Sequence, residues 1–177
     1  DRVQRLMQLH GIKARSKRKF VVTTDCRHDL PVAPNLLGRD FHPSAPDRVW
    51  SSDLTYIATD EGWLYLAAVI DLFSRQVVGW SMQPNMQTSL VTDALRMAWF
   101  RRHPEPGLIF HSDRGSQYCS HDFQAALKGY GMVSSMSRKG NCWDNAPTES
   151  LWGSLKVGRL YGRRFATHRE AMDEVID

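Results

Sequence analysis

Residues 64 to 70, Leu-Tyr-Leu-Ala-Ala-Val-Ile, form an almost unbroken apolar run bounded by turn-forming segments: Thr-Asp-Glu-Gly at 59–62 and the stretch around Phe73 to Arg75. A run this short, with no polar alternation, reads as a central strand covered on both faces. That demands a sheet with further layers on either side. From Arg48 to Ala58 the pattern alternates, with Val49, Ser51, Asp53, Thr55 and Ile57 on one side and Trp50, Leu54 and Tyr56 on the other. Gln76 to Met82 supplies a third strand, so the three read as an antiparallel meander.

Helical spacing follows. Residues 87–101 place Leu90, Val91, Leu95, Ala98 and Trp99 on one stripe, and a short apolar strand runs from Gly107 to Asp113. A helix from Ser120 or His121 to about Tyr130 turns Phe123, Ala126, Leu127 and Tyr130 inward, and Met132 to Met136 reads as a last strand. Asn145 is suited to cap one more helix, with Pro147 tolerated in its first turn. On that helix Glu149, Trp152 and Lys156 share one face, while Leu151 and Leu155 share roughly the opposite one, giving a core stripe and a separate, functional-looking stripe. The order βββαβαβα predicts an α/β sheet flanked by helices. Most of the six tryptophans are expected in the core.

Residues 1 to about 10 read as a helix ending at Gly11, and Pro31, Pro34, Pro43 and Pro46 mark an extended linker. The expected division is 1–46, a helical end plus basic linker, and 47–177, a compact domain. The opening Asp and a last helix, from His168, that stops partway read as a piece of a longer protein. No apolar run reaches the length of a membrane span. Cys26, Cys119 and Cys142 are odd in number and without a CxxC pair, which argues against zinc or a disulfide framework and for free thiols in a reducing cytoplasm. The net charge is +4, but it is unevenly spread. Arg2, Arg5, Lys13, Arg15, Lys17, Arg18 and Lys19 crowd the start, and Lys156, Arg159, Arg163, Arg164 and Arg169 follow Glu149. Such clusters fit a polyanion such as nucleic acid, or else ordinary solvated faces.

Three acidic residues stand in costly places: Asp53 in Trp-Ser-Ser-Asp-Leu-Thr-Tyr, Asp113 in Phe-His-Ser-Asp-Arg-Gly-Ser-Gln-Tyr, and Glu149 in Asn-Ala-Pro-Thr-Glu-Ser-Leu-Trp. A carboxylate on an apolar strand face carries a desolvation penalty unless it is paired or cation-bound. Three brought together repel one another and suit a hard, oxygen-liking divalent ion. Two such ions about 3.5–4 Å apart would clamp the attacking and leaving oxygens of an in-line phosphoryl transfer. Position alone is weak support in a chain with 19 acidic residues, since most serve as caps, turns and ion pairs.

With their flanks, these residues resemble the signature of DDE transposases and retroviral-type integrases. Between Asp113 and Glu149 lie 35 residues, as in that group. The strings Ala-Val-Ile-Asp-Leu-Phe-Ser-Arg (68–75), His-Ser-Asp-Arg-Gly-Ser-Gln-Tyr (111–118), Gly-Asn-Cys-Trp-Asp-Asn-Ala (140–146) and Ser-Leu-Lys ending at Lys156 resemble the second-reading-frame (OrfB) transposase of bacterial insertion sequences. The likeness covers about 47–177, and residues 1–15 are similar to the end of the helical DNA-binding segment that precedes such cores. The resemblance implies an RNase H-like fold with a five-stranded mixed sheet, three antiparallel strands and then two parallel. Asp53 would lie on the first strand, Asp113 just after the fourth, and Glu149 on a helix that closes the site. It further implies ligation of Mg²⁺ or Mn²⁺, two ions, by all three carboxylates, cleavage at DNA ends and strand transfer without a covalent intermediate. The implied partners are DNA (element ends and target), further copies of the chain and a helix-turn-helix product of the first reading frame, in the bacterial cytoplasm and away from any membrane.

Four more residues are candidates for DNA contact. Lys156 matches a family lysine that holds the DNA end, with an exposed helix lysine as the plain alternative. Arg138, Lys139 and Trp143, in a polar basic loop, suit phosphate and base stacking, although Trp143 equally suits a core anchor. Asp71 reads as a turn residue, Asp144 as a helix cap and His111 as a hydrogen-bonded strand residue. Two other functions remain open on sequence: an RNase H-like nuclease that only hydrolyses, and a DNA-binding module of a decayed element.

Overall fold

The structure, a computed structural model, describes residues 2–11, 28–138 and 142–177, without the side chains of Cys142 and Trp143. Five strands, β1 (Val49–Thr59), β2 (Gly62–Asp71), β3 (Val77–Gln83), β4 (Ile109–Ser112) and β5 (Val133–Met136), form one sheet in the order β3-β2-β1-β4-β5. β1, β2 and β3 pair antiparallel, and β4 and β5 add in parallel, as expected. The helices are α1 (Arg2–Leu9), α2 (Thr88–Arg102), α3 (Ser116–Cys119), α4 (His121–Gly129), α5 (Ala146–Gly158) and α6 (His168–Ile176). The four-residue α3 is too short to announce itself by periodicity.

The apolar run of β2 divides by parity. Ala67 and Val69 join Trp50, Leu54, Val78 and the buried residues of α2 and α4 in the main core. Leu66 and Ala68 face the other way and meet Trp152 of α5, while Leu64 meets Phe165 and Ala171 of the C-terminal segment. Both faces are therefore covered, which is why β2 lacks polar alternation. α2 seats directly on β3 at Gly79, where a Cβ would stand 2.3 Å from the Ala94 carbonyl oxygen and 2.6 Å from the Ala98 nitrogen. Only a residue without a side chain allows that approach.

The tight β2–β3 turn rests on Asp71. Its buried carboxylate accepts from the Asp47 and Ser74 amides and from the Ser74 hydroxyl at 2.6 Å, with Arg102 at 3.9 Å. The proline-bearing stretch before β1 packs on the core: Leu37 is buried, the Met136 amide donates to Pro34 O, and the Leu36 amide donates to Ser135 Oγ. Proline spacing marks irregular backbone but gives no sign of that packing. Among the described residues Trp50 and Trp152 are buried and half-buried Trp80 and Trp99 pack on the core, as expected of most tryptophans, while Trp63 is 46% exposed. One further expectation needs correction. On α5 the buried residues are Thr148 and Trp152, with Leu151 and Leu155 only half-buried, because the helix lies on β1 and turns Trp152, from the stripe expected to stay free, onto Leu66 and Ala68 of β2.

Candidate active site

β4 pairs with β1 only through Val49, Trp50 and Ser51, opposite Ile109, Phe110 and His111. Continued by two residues, this parallel register carries Asp113 alongside Asp53 on the face that α5 covers. Asp113 is half-buried and its Oδ1 accepts the Gly115 amide at 2.8 Å. Asp53 is half-buried too; its Oδ1 accepts the Leu54 amide at 2.8 Å, and its Oδ2 accepts the Trp152 indole N–H at 3.0 Å.

Glu149 enters from α5, in its first turn, and is exposed. Asn145 precedes the helix as expected, but its side chain caps no backbone amide. Its Oδ1 instead lies 3.0 Å from Ser51 Oγ and 2.9 Å from Thr148 Oγ1, which are 2.9 Å apart, so the three side chains pin the start of α5 onto β1. Burial is the main cause that raises the Asp53 carboxyl to about 7, followed by the negative charge of Asp113 and, more weakly, that of Glu149; the Leu54 and Trp152 donors oppose the rise. The fold thus brings all three acids into one electrostatic neighbourhood. Among the described residues, however, no three His, Cys, Asp or Glu side chains stand close enough to hold a metal ion as they are.

The surroundings of the acids are largely apolar or fixed. Tyr118 is fully buried, hydrogen-bonded to Ser52 Oγ at 2.8 Å, and its hydroxyl is pushed well above its ordinary value by burial and then by Asp53 and Asp113. Lys156 Nζ lies 4.7 Å above the Tyr56 ring; burial pulls its pKa down, and the charge of Asp53 opposes this. His111, buried, has Nδ1 2.9 Å from Ser135 Oγ and Nε2 3.0 Å from the Asp144 carbonyl oxygen, and burial lowers its pKa. It acts as the hydrogen-bonded strand residue expected of it.

Asp144 is no simple helix cap. Buried, it accepts from the Arg138 amide and guanidinium, from Arg39 Nε at 3.0 Å and from Asn35 Nδ2 at 3.0 Å, joining the segment before β1 to the turn before α5. These donors, Arg138 foremost, hold its carboxyl well below the usual carboxylate range. Arg138 is half-exposed but already committed to Asp144. Lys139 and the side chain of Trp143 lie outside the described residues. So do Lys13, Arg15, Lys17, Arg18, Lys19 and Cys26. The basic cluster after Glu149 is largely neutralised within the fold: Arg159 and Arg163 pair with Glu174, Arg164 with Asp60 and Arg169 with Asp173. Sequence reasoning missed these pairings, the Asp144 hub and the Trp152–Asp53 bond. Only Trp152 had a sequence signal, its position on one face with Glu149.

No helix among the described residues is long and apolar enough to cross a membrane. The family model for the integrase core domain matches residues 43–142. A 31 kDa protein of insertion element IS600 from Shigella sonnei is 49% identical over 99% of the chain and 64% of its own length. The transposase InsF of insertion sequence IS3A from Escherichia coli K12 is 51% identical over 96% of the chain and 59% of its own length. The chain thus spans about three fifths of these relatives. Among solved structures, the simian T-cell lymphotropic virus intasome in complex with the PP2A regulatory subunit B56 gamma contains a chain similar over 86% of this one and 53% of its own length, at a TM-score of 0.65 and 18% identity. The HTLV-2 integrase catalytic core domain in complex with magnesium matches over 75% of this chain and 86% of its own, at a TM-score of 0.54 and 16% identity. These likenesses identify the five-stranded architecture as the RNase H-like fold. With more than half its length matched by the family model, the chain belongs to the integrase core domain family.

Proposed function

We propose that this chain is the catalytic core of a transposase that cuts DNA at the ends of its element and joins them to a target by metal-dependent phosphoryl transfer. One observation carries the reading: the β1–β4 register sets half-buried Asp53 alongside Asp113, under the helix that bears Glu149, and burial with those two charges raises the Asp53 carboxyl to about 7. Unrelieved, that arrangement is costly. An all-carboxylate donor set suits a hard cation that prefers oxygen, so Asp53, Asp113 and Glu149 are the residues that would hold Mg²⁺ or Mn²⁺, two ions in the fullest case. Bound there, the metal would activate the attacking oxygen and neutralise charge on the phosphoryl group. The half-buried face between β1 and α5 limits competing water, and the Ser51–Asn145–Thr148 contacts keep Glu149 beside the sheet.

The same reading gives the basic groups their work. Lys156, on the stripe of α5 that faces Asp53, holds a phosphate of the DNA end as a point charge. Arg138, Lys139 and Trp143 contact the end from the loop before α5, Arg138 while anchored by Asp144. Residues 1–46 form the end of a DNA-binding segment and its linker, and 47–177 the catalytic domain. The working assembly is a homo-oligomer on DNA in the bacterial cytoplasm, with a helix-turn-helix partner from the first reading frame. The transposase names of the relatives and the integrase names of the structural neighbours support this reading.

The test is nicking and strand joining by the full protein on labelled element-end DNA with Mg²⁺ or Mn²⁺. Joined products that vanish in Asp53→Asn and Glu149→Gln are the expected result. Metal-dependent nicks that never progress to joined strands would instead indicate a purely hydrolytic nuclease.

A further inference from the structure

Asp53 is held by two donors of different origin. Its own strand supplies the Leu54 amide to Oδ1, and α5 supplies the Trp152 indole N–H to Oδ2, at 2.8 and 3.0 Å. Trp152 is only 8% exposed, packed on Leu66 and Ala68 with Leu151 and Leu155 around it. The ring is wedged against β2, and its nitrogen has little freedom to leave the carboxylate.

The chemistry of the donor matters as much as its place. An indole N–H only donates: it neither titrates in the physiological range nor binds a cation, so it orients a carboxylate without competing for the carboxylate's ligand. Trp152 follows Glu149 by three residues, hence lies on the same face of α5. A single rigid side chain therefore links one oxygen of Asp53 on β1 to the helix turn that bears Glu149. Packing alone would be satisfied by any large apolar ring; the hydrogen bond adds a fixed direction.

We propose that Trp152 is a positioning residue whose indole N–H sets the rotamer of Asp53 relative to the helix turn that bears Glu149, so that Asp53 is oriented in advance for a divalent cation toward which Glu149 then moves. The proposal rests on the carboxylate reading given under Proposed function. Outer partners that orient ligating side chains typically tune metal affinity by about 10–100-fold. The effect of Trp152 belongs at the lower end, because Leu54 still holds Oδ1 when the indole is gone.

The experiment uses the full protein, with Mn²⁺ binding followed by electron paramagnetic resonance and folding by thermal unfolding. Trp152→Phe removes the donor, and benzothienylalanine at position 152 removes it while keeping the shape of the ring; Asp53→Asn is the control. The expected result is a Mn²⁺ dissociation constant raised about tenfold by both replacements in folded protein. Strand joining should recover in part as Mn²⁺ is raised. A benzothienylalanine protein that binds Mn²⁺ as tightly as the wild type overturns the proposal and leaves Trp152 a packing residue. A wild type that binds no Mn²⁺, or an Asp53→Asn protein that binds it equally well, overturns the carboxylate reading itself and this proposal with it.

Discussion

Asp53→Asn should make the metal-free protein more stable at neutral pH while abolishing its activity. With a carboxyl near 7 in the folded chain and 3.8 as its ordinary value, the folded state keeps a proton that the unfolded state has released. The sign follows: a raised folded pKa costs nothing well below pH 4, costs progressively more from about pH 4 to pH 7, and levels off above that. At about 1.36 kcal/mol per unit the ceiling is about 4 kcal/mol, and relaxation around a half-buried carboxylate reduces the expected cost to about 1–3 kcal/mol. Asparagine carries no charge but keeps one acceptor for two donors, Leu54 and Trp152, which returns about 1 kcal/mol of the gain. Urea unfolding at pH 5 and pH 8 isolates the ionisation. The wild type should lose about 1–2 kcal/mol more than Asp53→Asn between these pH values, and saturating Mg²⁺ should remove the difference. Parallel pH dependences in the two proteins would refute the idea that Asp53 is a strained charge awaiting a cation.

Gly79→Ala should cost at least about 3 kcal/mol in urea unfolding, because its Cβ would meet α2 backbone at 2.3 Å and the helix must move off the sheet. Asp144→Ala should cost about 1–3 kcal/mol by the same measurement: it strips Asn35, Arg39 and Arg138 of their acceptor, although both arginines can turn to water. Since its folded pKa is depressed, the contribution of Asp144 is present above the ordinary carboxylate pKa and lost as pH falls below it, so wild type and Asp144→Ala should converge in stability in strong acid. Lys156→Gln should weaken binding of element-end DNA and reduce the slope of log affinity against log salt by about 1, measured by fluorescence anisotropy; an unchanged slope removes Lys156 from the phosphate contacts.

The sheet was legible because its signals are periodic. The apolar run of β2 and the alternation of β1 state how many faces are covered, and the meander follows from turn chemistry at 59–62 and 73–75. Asp53 and Asp113 were conspicuous as charges within and just after apolar strand patterns, whereas Glu149, in the first turn of a helix, was singled out by the flanking motifs that carry the family resemblance. What stayed hidden depends on contacts between distant residues. Trp152 looked like part of a free stripe because nothing local shows that α5 would lay that stripe on β2. Asp144 looked like a cap because its partners Asn35 and Arg39 are more than 100 residues away. The arginines after Glu149 counted as one positive cluster until folding set Glu174, Asp60 and Asp173 against them. Gly79 carries no sequence mark separating it from any other strand glycine; its role appears only with the α2 backbone at its Cα.

Whether Asp53, Asp113 and Glu149 hold a metal is read most directly from the anomalous difference density of crystals of the protein equilibrated with Mn²⁺. A peak is expected at about 2.1–2.3 Å from carboxylate oxygens of both Asp53 and Asp113, with Glu149 drawn toward it, and it should disappear in Asp53→Asn. Ordered crystals at saturating Mn²⁺ with no density between β1 and β4, or with the ion bound elsewhere, would contradict that expectation.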